Sequence, residues 1–264
     1  TVKQPISMII LIGQLFSAQH WAHHSAFSLP EKRWDIGVFQ PFRFGVSERM
    51  EYSIHPLLFS VMPNLSIKIS KKNIGNWATA SRYGGFYPTP LLNMLTHKGQ
   101  FGMISPDLGP IPRLLGLYTD LLLTRALFTS TYLSIKTGLS LGISFSGLDQ
   151  RTTIDLPLVY HRLGIFYNKW AVRFGADLTG DITKKLRYLV DADAHILPGF
   201  NGDLSLEHKG VLFWEINEHL RLLCGYKFVW ARFPFGPQAR MLPYIPIMET
   251  WVPFIDLQWS GTRK

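Results

Sequence analysis

From Trp34 onward, apolar residues recur at every second position. Between Tyr132 and Phe145, Leu133, Ile135, Thr137, Leu139, Leu141, Ile143 and Phe145 alternate with Ser134, Lys136, Gly138, Ser140, Gly142 and Ser144. Successive strand side chains point to opposite faces, so this spacing predicts a long strand with one apolar and one small or polar face. The same pattern predicts strands over Trp170–Thr179, Leu186–Leu197, Asp203–Ile216 and Leu220–Trp230, and again at Ile255, Leu257 and Trp259. Less regular alternation adds Trp34–Phe44, Met50–His55, Leu65–Ser70, Trp77–Tyr83, Leu114–Ala126 and Ile154–Tyr167, for about twelve strands. Turn-forming residues separate them, among them Asn73-Ile74-Gly75-Asn76, Gly180-Asp181 and Asn217-Glu218. The stretch Gly84–Pro112 holds five prolines and reads as a long loop. On this strand count it lies at the same end as the tight Asn217-Glu218 turn.

Alternation has no sign. A soluble barrel buries its apolar face; a membrane barrel turns it to lipid and keeps a polar lumen. Three features favour the membrane form. The clearest strands have roughly 10–14 residues, against the roughly 9–11 that cross a bilayer. Aromatics such as Trp34, Phe44, Trp170, Trp214, Trp230, Trp251 and Trp259 cluster near strand ends, as an interfacial belt requires. The polar face mixes Gly, Ser and charges of both signs. On strand periodicity from Trp34 to Trp259, aromatic placement and the leader described below, the chain resembles bacterial outer-membrane β-barrel proteins. The resemblance implies an all-β fold, an antiparallel up-and-down transmembrane barrel of about 12 strands. It also implies a bacterial outer-membrane location, with the bilayer and its lipids as partners.

Composition sharpens this. Hydrophobic residues make up 47% and charged residues 17%, yet no apolar run reaches the roughly 20 residues of a membrane helix. Lys3 followed by an apolar stretch to Phe16 and the small residues Ser17-Ala18 predicts a signal peptide over residues 1–18. Residues 19–32 form an N-terminal extension, and residues 33–264 a single barrel domain. The extension holds His20, His23 and His24, a weak metal-binding pattern because no carboxylate or thiolate accompanies them. The net charge of +9 comes from scattered Lys and Arg, and no nucleic-acid-binding motif is present. The single Cys224 excludes a disulfide within this chain, and its place on the apolar face makes it a small hydrophobe.

The predicted lumen is lined by Lys68, Lys136, Arg173, Asp177, Arg187, Asp191, Asp193, His195, Glu207, Lys209, Arg221 and Lys227. The predicted lipid face includes Leu133, Leu139, Leu141, Ile143, Trp170, Leu222, Cys224, Phe228 and Trp230. Asp191, Asp193 and His195 share one face of one strand and are the candidates for acid–base chemistry or Ca²⁺. A salt-bridge network explains the same residues more simply, because buried charges need partners. No Gly-x-Ser-x-Gly, phosphate-binding loop or dinucleotide fingerprint occurs, and no cofactor is expected. The expected function is non-enzymatic: a channel, narrow and anion-favouring if water-filled, or a structural barrel. The alternatives are a lipid-modifying enzyme using the acidic/His group and a soluble secreted barrel with an apolar ligand inside.

Overall fold

The computed structural model describes residues 25–96, 104–149, 152, 164–199, 203–233, 236–242, 244–245, 250–251 and 254–263, without side chains from 233 to 254. The predicted signal peptide and the three extension histidines lie outside these residues. In chain order the strands are β1 Arg33–Gly37, β2 Phe42–Ser47, β3 Met50–Ile54, β4 Asn64–Ile74, β5 Trp77–Phe86, β6 Leu114–Phe128 and β7 Thr131–Ser144. They continue as β8 Trp170–Asp181, β9 Leu186–Ile196, β10 Leu204–Asn217, β11 Leu220–Phe233, β12 Gly236–Leu242, β13 Tyr244–Ile245, β14 Thr250–Trp251 and β15 Phe254–Thr262. Strands β1 to β11 pair antiparallel with their sequence neighbours. β15 pairs with β11 and with β1, Arg33 facing Thr262, which closes the sheet on itself. The result is a closed, all-antiparallel barrel of twelve strands. β12 is an outlier that extends the upper half of β11, with Lys227 facing Leu242.

The burial pattern gives the alternation its sign. On β7, Ser134 and Lys136 are buried, while Ile135, Leu139, Leu141 and Ile143 are 39–45% exposed. The other long strands follow: Leu117 and Leu121 of β6, Phe174 of β8, Val190 of β9 and Leu212 of β10 are exposed, whereas Asp120, Asp177, Asp191 and Ser205 are buried. The outside is apolar and the inside polar, the reverse of a soluble barrel. An apolar ligand held within would face charges. No helix among the described residues is long and apolar enough to cross a membrane, which says nothing of strands.

Two strand expectations are corrected. Trp34–Phe44 is two strands, because Val38 to Pro41 leaves the ladder and turns the chain back. Pro41 has no N–H to give a ladder. Ile154–Tyr167 is not a strand in its described part: Gly164 begins a turn, and Ile165–Asn168 is a helical turn ending at Lys169 with φ 75. The two errors offset each other, so the expected number survived.

Their positions did not, and this corrects the sidedness of the loops. The connections at residues 48–49, 75–76, 129–130, 182–185 and 218–219 all lie at one end, together with the start of β1 and the end of β15. The connections at residues 38–41, 55–63, 87–113, 145–169, 197–203 and 234–253 lie at the other, and only the first of these is short. The proline-rich loop therefore sits opposite the Asn217-Glu218 turn. Short turns at one end and long loops at the other is the layout of outer-membrane barrels. Outward tryptophans mark both ends: Trp34, Trp77, Trp214 and Trp259 near the turns, Trp170 and Trp230 near the loops.

Candidate functional site

The lumen is filled in three tiers. At the loop end, the helix Thr89–Leu95 and the turn Ile165–Asn168 fold over the opening. Leu92, Leu95, Ile104, Leu114, Phe166 and Leu197 form an apolar cap there, each at most 6% exposed. Gly142 permits this, since a Cβ on it would lie 2.3 Å from the Ile165 carbonyl oxygen.

The middle tier is ionic. The Lys136 ammonium lies 2.8 Å from Asp177 and 2.9 Å from both Asp191 and Asp193. Lys209 reaches Asp191 at 3.1 Å and Lys227 reaches Glu207 at 2.9 Å. On the adjoining wall, Asp120 of β6 accepts from Arg82 at 2.6 Å and from Arg173 at 2.7 Å. Barrel register explains these contacts: Asp177 and Asp191 face each other on β8 and β9, and Asp193 faces Glu207 on β9 and β10. These facing pairs are of like sign, and the lysines among them offset the cost of burying them: Lys136 on Asp177, Asp191 and Asp193, Lys209 on Asp191, and Lys227 on Glu207.

The third tier, at the turn end, is the N-terminal extension. From Ser25 to Pro30 it runs inside the barrel. The Ala26 N–H donates to Thr124 Oγ1 at 2.9 Å, and the Leu29 N–H to Glu51 Oε2 at 2.8 Å. Lys68 donates to the Phe27 carbonyl at 2.6 Å, and the Ser28 and Ser70 hydroxyls lie 2.8 Å apart. Phe27 packs edge-on against Tyr132 at 5.9 Å. Gly45 makes room, because its Cβ would lie 2.0 Å from the Pro30 carbonyl oxygen. In the wall beside the strap, Arg43 pairs with Asp35 and with Glu51 at 3.7 Å, and Lys68 meets Glu51 at 3.1 Å.

The expected lumen residues Lys68, Lys136, Arg173, Asp177, Arg187, Asp191, Asp193, His195, Glu207, Lys209, Arg221 and Lys227 all lie on the inner face. Leu133, Leu139, Leu141, Ile143, Trp170, Leu222, Cys224, Phe228 and Trp230 lie on the outer. Sequence reasoning missed Asp35, Arg43, Glu51, Arg82 and Asp120. Asp35, Arg43 and Glu51 are isolated charges between outward apolar or aromatic neighbours, as in Trp34-Asp35-Ile36 and Phe42-Arg43-Phe44, and Arg82 and Asp120 each follow a hydroxyl residue, in Ser81-Arg82-Tyr83 and Thr119-Asp120-Leu121.

The acid–base candidates do not assemble as a catalytic group. Asp191 and Asp193 both hold Lys136, and His195 Nε2 stands 3.8 Å from Glu207 instead. Asp193, His195 and Glu207 bring ligand atoms within 4.8 Å of one another. Lys136 and Lys227 already neutralise the two carboxylates, so a divalent cation would meet two ammonium groups.

No protein-family model matches the chain, and no curated protein is similar to it. Solved structures give distant likenesses. The outer membrane channel DcaP of Acinetobacter baumannii is 9% identical, with a TM-score of 0.39 over 84% of this chain and 62% of that one. OmpT, an outer membrane protein of Vibrio cholerae, is 7% identical, with a TM-score of 0.42 over 84% and 64%. The chain spans less than two thirds of the length of either. The translocator domain of the autotransporter NalP from Neisseria meningitidis is 10% identical, with a TM-score of 0.25 over 88% and 86%. The barrel rests on this chain's own strand register, and these values carry no argument about its role.

Proposed function

We propose that this chain is a non-enzymatic β-barrel of the bacterial outer membrane, a conduit closed at rest by its own N-terminal strap and favouring anions when open. The observation that carries the membrane reading is the inverted polarity: exposed Ile, Leu and Phe outside, buried ion pairs inside. With the turn end periplasmic, Leu139, Leu141, Cys224 and Phe228 face lipid, and the long loops face the exterior.

The closed state follows from the three tiers. The inward charges are paired rather than lining an open tube. The strap Ser25–Pro30 is the part most readily withdrawn, since hydrogen bonds and one ion-paired lysine hold it, without a ladder of its own. Inward Arg187, Lys209, Arg221 and Lys227 on β9–β11 support anion preference once the strap leaves. Planar-bilayer recording tests this. The parent barrel is expected to be almost silent, and a variant lacking residues 25–30 to conduct with anion selectivity. If both remain silent, the conduit reading is overturned and a structural barrel remains. If the refolded chain is soluble and monomeric without detergent, the membrane reading goes too.

A further inference from the structure

The outer face carries a groove over the three shortest strands of the barrel. Trp34 faces Phe44, and Phe44 faces Tyr52, which sets an aromatic row across β1, β2 and β3 near the turns. One step toward the loops, Phe42 faces Ile54, beside Ile36. These side chains wall an open groove of about 760 Å³. Gly261 of β15 shapes one side of it. A Cβ there would stand 2.7 Å from the Trp34 ring, so the indole rests over β15 at that point. Val38 and Phe39 are 42% and 61% exposed and continue the apolar track past the end of β1.

A single cation stands at the turn end of the groove. Arg263 is on the outward side of the chain, in register with Trp259 and Gly261, and lines the groove. Its backbone N–H donates to the Lys32 carbonyl at 2.9 Å, which fixes its place beside β1. Arg43, Arg82, Arg173 and Arg187 inside the barrel all hold carboxylates. Among the described residues no carboxylate pairs with Arg263, and the exposed Glu31 and Glu48 of the same rim are not in the groove wall.

An apolar wall at membrane depth, an aromatic row at the interface and an arginine just beyond it follow the order of parts in a phospholipid: acyl chain, glycerol, phosphate. A guanidinium forks onto phosphate oxygens in bidentate fashion. A zwitterionic headgroup brings its own ammonium to compete for that phosphate, and a net-negative one does not. We propose that this groove holds one anionic glycerophospholipid of the leaflet facing the turns, with its phosphate on Arg263 and an acyl chain against Ile36, Phe42 and Ile54. The site rests on the membrane reading above and is independent of conduction.

The test is native mass spectrometry of the full folded chain released from detergent micelles, with dioleoyl phosphatidylglycerol or dioleoyl phosphatidylcholine added. One phosphatidylglycerol per barrel is expected to be retained, about fivefold more than phosphatidylcholine, the factor that one basic residue contributes at an anionic surface. Arg263→Gln is expected to bring phosphatidylglycerol down to the phosphatidylcholine level. Ile54→Trp, which fills the groove, is expected to lower retention of both lipids. Lys71→Gln, an exposed cation at the turn end of β4, leaves retention unchanged. Heat-modifiable gel mobility shows which variants are folded; if Ile54→Trp is not, Arg263→Gln decides. Equal retention of the two lipids by the parent, or parental retention by folded Arg263→Gln, overturns the site. A barrel that inserts into vesicles and retains neither lipid loses this site and keeps the membrane reading. A chain that is soluble and monomeric without detergent loses both.

Discussion

Lys136 is the residue on which the ionic tier turns. Replacing it with Met leaves a side chain of similar length and no charge. At an effective dielectric of about 20, each contact of 2.8–2.9 Å carries roughly 6 kcal/mol of gross attraction. Repulsion among the three aspartates and the cost of dehydrating the ammonium offset most of that. Asp191 keeps Lys209 at 3.1 Å, so the uncompensated charge falls on Asp177 and Asp193. Removing one partner of a buried ion pair typically costs about 3–5 kcal/mol, and that range is the expected loss for K136M. The assay is urea unfolding in lipid vesicles, followed by tryptophan fluorescence, where folding and unfolding curves coincide. The triple variant K136M/D177N/D193N removes the stranded charges and should recover most of the loss. A K136M barrel within about 1 kcal/mol of the parent would refute the reasoning, as would a triple variant no more stable than the single one.

Other outcomes follow from the same geometry. Leu139→Arg puts a charge on the outward face near the middle of β7 and should cost about 2–4 kcal/mol in vesicle unfolding; a neutral effect would place that face in water. Cys224, exposed on the outer face, should react in vesicles with a bilayer-soluble maleimide and resist a charged one; equal labelling by both would count against lipid contact. Gly45→Leu should expel the strap, seen as new protease cleavage between Ser25 and Pro30 in a barrel that still runs as folded. An unchanged digest would mean the strap is not seated against β2.

Much of the fold is legible in the sequence because a strand's two faces differ by one position. β7 to β11 read almost without error, since 11 to 14 residues give the alternation enough repeats to stand out. β1, β2 and β3 have only 5, 6 and 5 residues. In that space one proline at position 41 hides a reversal, and two strands read as one. The same brevity hid Asp35, Arg43 and Glu51, a charge cluster in which Glu51 accepts from the strap's Leu29 N–H. Strand length and aromatic placement pointed the apolar face to lipid, but from alternation alone that direction was not legible, because lipid outside and core inside impose the same period. Nor was the lumen chemistry: Asp191, Asp193 and His195 are adjacent in sequence pattern, but what they do depends on Lys136, which arrives from two strands away.

The ring closes by joining the first strand to the last. That junction has five register pairs, against fourteen between β6 and β7. Bringing ends roughly 230 residues apart together costs roughly 5 kcal/mol in chain entropy by the logarithmic law, before its few pairs repay anything. The β1–β15 seam is thus the last stitch of assembly, and β1 holds its other neighbour, β2, by only two register pairs. The strap runs without interruption into β1, so the plug and the zip fastener are one piece of chain. Whatever pulls Ser25–Pro30 from the lumen also pulls on the strand that keeps the cylinder shut.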